Sequence, residues 1–449
     1  MSGENNRFEK KALRKVHGPK ADWQALADSC VAFATAVGGT IAVGIEDDSD
    51  VPPDRQQVPS DLADTIRRRI RELTVNVSAE AEFRKAESGA EFIEVHILRS
   101  PGVPSTTSGR YYLREGDRNR PIVGDDVLRL ASDRATFSWE MQTALKVPRS
   151  DADTDKLASF VKAIHASDRV KASVKEKSDR ELMDHYLLVQ GDHLTNLGIL
   201  CIGCGEHRAG LGTAPVVQFL KYDERESRLN KIVWDDHTLS PIELIDAIWT
   251  DVPDFRESYE LPDGLFRKSV PVYDETVVRE LVVNALVHRP YTQRGDKFIK
   301  SYPDRLEVVN PGLLPIGVTP TTVLHASVRR NEHLTRVFHD MKLMEREGSG
   351  FDTMYQVLLS QGRPAPLLRE GPDRVEITIR RRILKPEAID LMTKANQSFQ
   401  LYQRETICLG LLAQSEQMPA RELVTALMLD AVEALRPWLG RLLELRLIK

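Results

Sequence analysis

Residues 275–289, ETVVRELVVNALVHR, are the stretch from which the fold is best deduced. Their apolar pattern predicts a helix. Glu280 and Asn284 are four residues apart, so both side chains project from the same face of that helix. A carboxylate can orient or deprotonate a water molecule, and an amide can hold a magnesium ion that bridges phosphates. This pair therefore suits a nucleotide site.

Two glycine-containing turns follow the helix. Strands predicted at KFIKSYP and RLEVVN lead into the turn NPG at 310–312, where a small residue lets a backbone or a base approach closely. The turn GSG at 348–350 precedes a helical stretch, where backbone amides can receive phosphate oxygens. The alternative is a surface helix followed by two ordinary turns. The order favours a nucleotide site made of Glu280, Asn284, Asn310, Gly312, Gly348 and Gly350.

The N-terminal part of the chain has its own α/β pattern. Helical spacing over DWQALADSCVAFATAV ends at Gly38-Gly39, and a short apolar strand, TIAVGI, follows. A second helix carries Ile66 and Ile70 beside a run of arginines, and strands are predicted at FIEVHIL and RYYLREG. We expect these segments to form one module over residues 1–130.

Three further regions complete an α/β multidomain protein. Residues 131–265 are predicted to be an α/β connector in which LGILCIG and APVVQFLKY are strands and GEHRAGLGT is the turn between them. Residues 266–390 form the domain with the candidate nucleotide site. Residues 398–449 are predicted to be a winged-helix-like domain of three amphipathic helices and a terminal strand, RLIK.

Composition excludes several classes of protein. The 449 residues contain 62 Lys plus Arg against 67 Asp plus Glu, and the net charge of −5 excludes a globally basic, histone-like binder. No apolar run approaches the roughly 18–20 residues that cross a bilayer. Four cysteines do not make a disulfide framework. We therefore expect a cytoplasmic protein with no membrane partner.

The motifs of the third region resemble those of the histidine-kinase-type (GHKL) ATPases, in the divergent form found after Schlafen-type AlbA domains. The similarity covers RELVVNALVHRPY, DRLEVVNPGLLPIGVT, SVRRNEHL and EREGSGF. It implies an ATP site in which Glu280 and Asn284 match the N-box, Asn310 and Gly312 the first glycine box, and Gly348 and Gly350 the second. In that family an aspartate accepts a hydrogen bond from the adenine amino group. The residue at the matching position here is Asn310, whose amide oxygen is a weaker acceptor than a carboxylate.

The N-terminal motifs AFATAVGGTIAVGIEDD and GRYYLREGDRNRPI resemble the Schlafen AlbA domain. Some members of that family are metal-dependent endoribonucleases with the pattern E-x4-E-x-K and a distant aspartate. The matching residues here are Glu4, Glu9, Lys11 and Asp47. The resemblance implies that Glu4, Glu9 and Asp47 hold Mg²⁺ or Mn²⁺ and that Lys11 neutralises developing charge. The competing interpretation is a solvated, charged terminus.

Two functions remain open at this stage. One is an ATP-gated, nucleic-acid-binding protein that acts as a metal-dependent nuclease on DNA or RNA, in anti-phage defence, with Mg²⁺ or Mn²⁺ at Glu4, Glu9, Asp47 and Asn284. The other is a non-catalytic DNA-binding transcriptional regulator that senses ATP. Six Lys or Arg against two Glu in residues 1–20 favour nucleic-acid binding in either case. We expect a homodimer or higher homo-oligomer, and the absence of a P-loop argues against an ATP-driven helicase.

Overall fold

The computed structural model describes residues 4–134, 138–263, 266–326, 328–344, 350–383, 385–415, 417–429 and 431–449. The chain divides into two compact units. One contains Met1–Ser138 and Pro315–Gly317, and the other contains Trp139–Leu314 and Val318–Lys449. The predicted α/β multidomain class is confirmed, while the finer division into four domains stays a prediction.

The first unit alternates short strands with three helices in its described part. In chain order its elements are β1 (Phe8–Lys11), α1 (Trp23–Thr35), β2 (Gly39–Val43), α2 (Leu62–Leu73), β3 (Thr74–Val75), β4 (Ala79–Lys85), β5 (Glu91–Ile97), β6 (Ser105–Thr106), β7 (Tyr111–Glu115), β8 (Arg118–Ile122) and α3 (Asp125–Ser132).

The core of this unit lies between one sheet and two helices. The sheet has the order β1-β2-β5-β4, with β1 parallel to β2 and the other pairs antiparallel. Helix α1 begins at the cap Asp22, whose side chain accepts a hydrogen bond from the Ala25 amide. Its buried face, including Cys30 and Phe33, packs with Ile66 of α2 in one apolar cluster. β7 and β8 form a separate hairpin.

The second unit contains a larger set of elements. In chain order they are α4 (Thr154–Ala166), α5 (Ala172–Lys175), α6 (Asp179–His185), β9 (Val189–Gln190), β10 (His193–Leu194), α7 (Asn196–Ile202), α8 (Gly205–Gly210), β11 (Val217–Tyr222), β12 (Arg228–Trp234), α9 (Pro241–Asp251), β13 (Ser258–Asp263), β14 (Phe266–Pro271), α10 (Glu275–Val287), β15 (Lys297–Ser301), β16 (Arg305–Pro311), α11 (Glu332–Asp340), α12 (Gly350–Ser360), β17 (Leu367–Glu370), β18 (Arg374–Arg380), α13 (Pro386–Phe399), α14 (Gln403–Leu412), α15 (Ala420–Ala426) and α16 (Arg436–Glu444).

A six-stranded sheet organises the second unit. Its order is β12-β11-β15-β16-β18-β17, with β11 and β15 parallel and the remaining neighbours antiparallel. Side chains alternate between the two faces of a strand. Leu306 and Val308 of β16 therefore share one face, and both belong to the buried cluster that contains Leu281 and Leu286 of α10. Helix α10 thus packs on the face of the sheet that carries the side chains of Leu306 and Val308.

The segment LGILCIG of the connector, predicted as a strand, is helical in the structure. Residues 196–202 form helix α7, and Thr195 caps it by accepting a hydrogen bond from the Gly198 amide at 3.0 Å. The whole run is buried, and a short apolar run buried on all sides has no periodicity that separates strand from helix. GEHRAG, predicted as part of a turn, is helix α8.

The C-terminal segment is helical, as predicted, but differs in detail. Helix α13 was not predicted from the sequence, and RLIK is not a strand. AVEALRPWLGRLLEL is not one continuous helix, because a 3-10 turn at Val432–Leu435 precedes α16. Pro437 lies in the first turn of α16, where a missing amide hydrogen costs no helical hydrogen bond.

Among the described residues, no helix is long and apolar enough to span a membrane.

Candidate functional site

Helix α10 positions the predicted N-box residues. The cap Asp274 accepts a hydrogen bond from the Thr276 amide at 2.9 Å and starts the helix next to a tight apolar core. Glu280 is only 9 % exposed, and Asn284 is half-buried one turn further along. The predicted helix of residues 275–289 is therefore confirmed, with its observed end at Val287.

Gly350 meets both of these side chains at the start of α12. A Cβ atom at residue 350 would lie 2.5 Å from Glu280 Oε2 and 3.3 Å from Asn284 Nδ2. Real Cβ atoms do not approach a heavy atom as closely as 2.5 Å, so any larger residue would displace the Glu280 carboxylate, and its contact with Asn284 would be tight. The structure thus brings together Glu280, Asn284 and Gly350. Gly348 lies outside the described residues.

Asn310 lies at the end of β16, on the face of the sheet that α10 covers. It pairs with Val375 of β18, and its alternation with Val308 directs the side chain towards the helix. Its Oδ1 atom is buried and accepts no hydrogen bond from the described residues. Burying an acceptor without a partner costs free energy. An adenine amino group that donates a hydrogen bond would satisfy this atom.

Gly312 forms a turn that only glycine can form without strain. Its φ is +87°, and a Cβ atom there would lie 2.9 Å from Pro290 Cδ and closer still to Pro290 Cγ. The Gly312 amide donates a hydrogen bond to the Asp373 carbonyl at 2.8 Å. The first glycine turn is therefore packed against the segment that follows α10.

Two basic groups near the end of α10 have lowered pKa values. Lys297 is 2 % exposed, and its Nζ donates to the Ala285 carbonyl at 2.7 Å. Burial pushes the pKa of this ammonium group well below its ordinary value. Burial, with the nearby charges of Arg330 and Arg329, lowers the pKa of His288 to about 4. His288 is therefore a neutral packing residue at neutral pH.

The N-terminal candidate residues have a different arrangement. Glu9 is buried, and Arg114 Nη1 lies 2.8 Å from its Oε2. Its Oε1 accepts from Ser29 Oγ at 2.9 Å and lies 2.7 Å from Lys11 Nζ. Asn119 completes the group by accepting from Arg114 and donating to Ser29. We call Glu9, Lys11, Ser29, Arg114 and Asn119 the Glu9 network.

The predicted metal ligands do not converge. Glu4 accepts a hydrogen bond from the Lys10 amide at 2.9 Å, and Asp47 is exposed. Across the described ranges, no group of three or more His, Cys, Asp or Glu side chains could hold a metal ion. Both oxygens of Glu9 already face cations, which occupy the positions that a metal would need. The observed arrangement does not fit Mg²⁺ or Mn²⁺ at Glu4, Glu9 and Asp47.

The sequence motifs do not single out Arg114 as a functional residue. It lies within RYYLREG, and its sequence separation from Glu9 is 105 residues. Its guanidinium also stacks over the Phe33 ring at 4.9 Å. An alternating strand predicts an outward polar residue, so no local signal indicated that this arginine is buried.

Two known protein families match this chain, one in its N-terminal region and one in the region of the candidate nucleotide site. Residues 4–123 match the family described as Schlafen, AlbA_2. Residues 297–379 match the family described as putative ATP-dependent DNA helicase recG C-terminal. That second match includes Asn310, Gly312 and Gly350 but begins after Glu280 and Asn284.

The DIP2311 protein from Corynebacterium diphtheriae is a solved structure that resembles most of the chain. The TM-score is 0.58 and the sequence identity 21 %, and the alignment covers 97 % of this chain and 87 % of that one. This likeness concerns the fold alone. No curated protein matches the chain. The chain therefore combines a Schlafen AlbA_2-like region with a histidine-kinase-type ATPase-like region, as its motifs predict.

Proposed function

We propose that this chain is an ATP-binding protein that associates with nucleic acid and responds to the nucleotide. The observation that carries the proposal is the contact of Gly350 with both Glu280 and Asn284. The start of α12, the Glu280 carboxylate and the Asn284 amide thus lie close together, which suits a phosphate chain with its magnesium ion.

The buried Oδ1 of Asn310 supports the adenine end of the same site. Asn310 would accept a hydrogen bond from the adenine amino group, Asn284 would hold Mg²⁺, and Glu280 would orient a water molecule. Bound ATP would supply a terminal phosphate open to attack by water. An amide reads adenine less strongly than a carboxylate, so we expect ATP binding with slow hydrolysis.

For the N-terminal region, the Glu9 network favours binding without cleavage. A metal nuclease needs carboxylates free to ligate the ion, whereas Glu9 faces Lys11 and Arg114. The exposed Arg7, Lys15 and Lys20, with Arg68 and Arg71 on α2, offer cations to phosphates. We therefore favour the ATP-sensing regulator over the ATP-gated nuclease with a role in anti-phage defence.

Calorimetric titration of ATP with MgCl₂ tests the nucleotide site. We expect saturable binding by the native chain and weaker binding by Asn310→Ala. No heat of binding at any ATP concentration up to the millimolar range would refute the proposed site.

A second assay tests the nucleic-acid function. Labelled tRNA, single-stranded RNA and duplex DNA are incubated with the protein and Mn²⁺ or Mg²⁺, with and without ATP. We expect retarded but uncut nucleic acid, with ATP changing the affinity. Products that vanish in EDTA and with Asp47→Ala would establish the nuclease instead. Light scattering of the protein alone reports whether it forms the expected homodimer or a higher homo-oligomer.

A further inference from the structure

The backbone carbonyl groups at the C-terminal end of α10 accept hydrogen bonds from side chains outside the helix. A helix leaves its last four carbonyl groups without backbone donors. Here five consecutive carbonyls, from residue 285 to residue 289, each accept from a side chain. The donors are Lys297 to Ala285, Tyr291 to Leu286, Asn331 to Val287, Arg330 to His288, and Asn331 again to Arg289.

Arg330 differs from the other donors because it also reaches the glycine turn. Its Nη1 donates to the His288 carbonyl at 3.0 Å, and its Nη2 donates to the Leu313 carbonyl at 3.0 Å. Leu313 directly follows Gly312, whose backbone packs on Pro290. One guanidinium thus joins the end of the N-box helix to the first glycine turn.

The joined segments carry the two ends of the proposed nucleotide site. Asn284 lies on α10, one turn before its C-cap His288, and Asn310 lies three residues before Leu313. A shift of the glycine turn relative to α10 displaces Asn310, the adenine-reading side chain. The planar guanidinium donates along two fixed directions, whereas a lysine ammonium has no such geometry.

We infer that Arg330 is a positioning residue for nucleotide binding, which fixes the glycine turn against α10 and does not itself contact phosphate. This inference rests on the proposed ATP site and gives a role to the VRRNEH segment. Arg330 then acts on the adenine half of the site, because it holds the backbone that follows Asn310.

The test compares adenosine, ADP and ATP as ligands of the native chain, Arg330→Lys and Arg330→Gln. Because the adenine half is affected, we expect affinity for all three ligands to fall by the same factor, about tenfold, corresponding to about 1.4 kcal/mol. An arginine that contacts phosphate would weaken ADP and ATP but leave adenosine unchanged, and this result would overturn the inference.

Arg208→Lys is the matched control. Arg208 is also buried and donates to the backbone carbonyls of Gly203, His237 and Thr238, away from the glycine turn. It should lower the urea midpoint of unfolding without changing adenosine affinity. Equal losses of affinity in the Arg208 and Arg330 variants would mean that Arg330 acts only on overall stability.

Hydrogen exchange without nucleotide separates this inference from the proposed function. In Arg330→Lys, the backbone amides of Asn310, Gly312, Leu313 and Leu314 should exchange faster, whereas those of β11 should not change. Unchanged exchange at the turn refutes the positioning role even if ATP binds. Faster exchange in a chain whose native form binds no ATP would confirm the bridge and refute the ATP site.

Discussion

The backbone of Gly350 lies against the Glu280 carboxylate, so that a Cβ atom at residue 350 would be 2.5 Å from Glu280 Oε2. The two residues are 70 positions apart in sequence and belong to different helices, α10 and α12. Their contact places the start of one helix at the polar face of the other. The proposed nucleotide site depends on this relationship.

Gly350→Ala should weaken ATP binding about tenfold, because its methyl group must displace the Glu280 carboxylate. Calorimetry measures the change, and circular dichroism checks that the helices are retained. Gly440→Ala is the matched control, since Gly440 lies in α16 and a Cβ atom there meets no heavy atom within 4 Å. Wild-type affinity in the Gly350 variant would contradict the site.

Asn310→Ala should lower ATP affinity with little cost to the folded protein. The substitution removes a buried acceptor that has no partner among the described residues, so the free energy of unfolding should change by less than about 1 kcal/mol. Affinity for ATP should fall about tenfold, and the preference for ATP over GTP should disappear. A variant that still prefers ATP would show that Asn310 does not read adenine.

Glu9→Gln should destabilise the first unit rather than abolish a catalytic activity. The substitution leaves Arg114, which is 3 % exposed, without its charged partner, and breaking a buried ion pair costs about 3–5 kcal/mol. Urea unfolding measures the loss. The exposed Asp47→Asn should unfold like the native chain, and added Mn²⁺ should stabilise neither protein. A rise in the midpoint with Mn²⁺ would argue for a metal site.

Glu140 should make stability depend on pH. Burial raises its pKa to about 7, although the amides of Leu334 and His333 donate to the carboxylate and oppose the shift. Because the folded pKa exceeds the ordinary value of 4.5, the folded state binds more protons between these values. The contribution of Glu140 is complete below pH 4.5 and is lost as pH rises through 7.

Glu140→Gln isolates this contribution, since the amide oxygen of glutamine can still accept from Leu334. Urea unfolding of both proteins from pH 5 to pH 8 should give a stability difference that favours the variant increasingly as pH rises. The native profile also contains His288, whose lowered pKa reduces stability as pH falls from 6.5 towards 4. A pH-independent difference between the two proteins would refute the role of Glu140.

Local sequence was a good guide where the signal is periodic or depends on a turn. The cap Asp274 and the apolar pattern after it locate α10, and the glycine at 312 marks a turn with positive φ. LGILCIG was predicted wrongly because a short run buried on all sides has no periodicity that separates strand from helix, and its Gly198 has a tertiary role. It is needed in α7 because a Cβ atom there would collide with the Leu188 backbone.

The sequence by itself determined the α/β class, the helix with Glu280 and Asn284, and the order of the glycine turns, because caps, periodicity and glycine torsions are local properties. Only the tertiary structure decided which candidates meet. It placed Gly350 against the N-box, joined Arg330 to Leu313 and His288, and paired Glu9 with Arg114 instead of Asp47. Such contacts follow from packing between distant segments, and a single sequence carries no local signal of that packing.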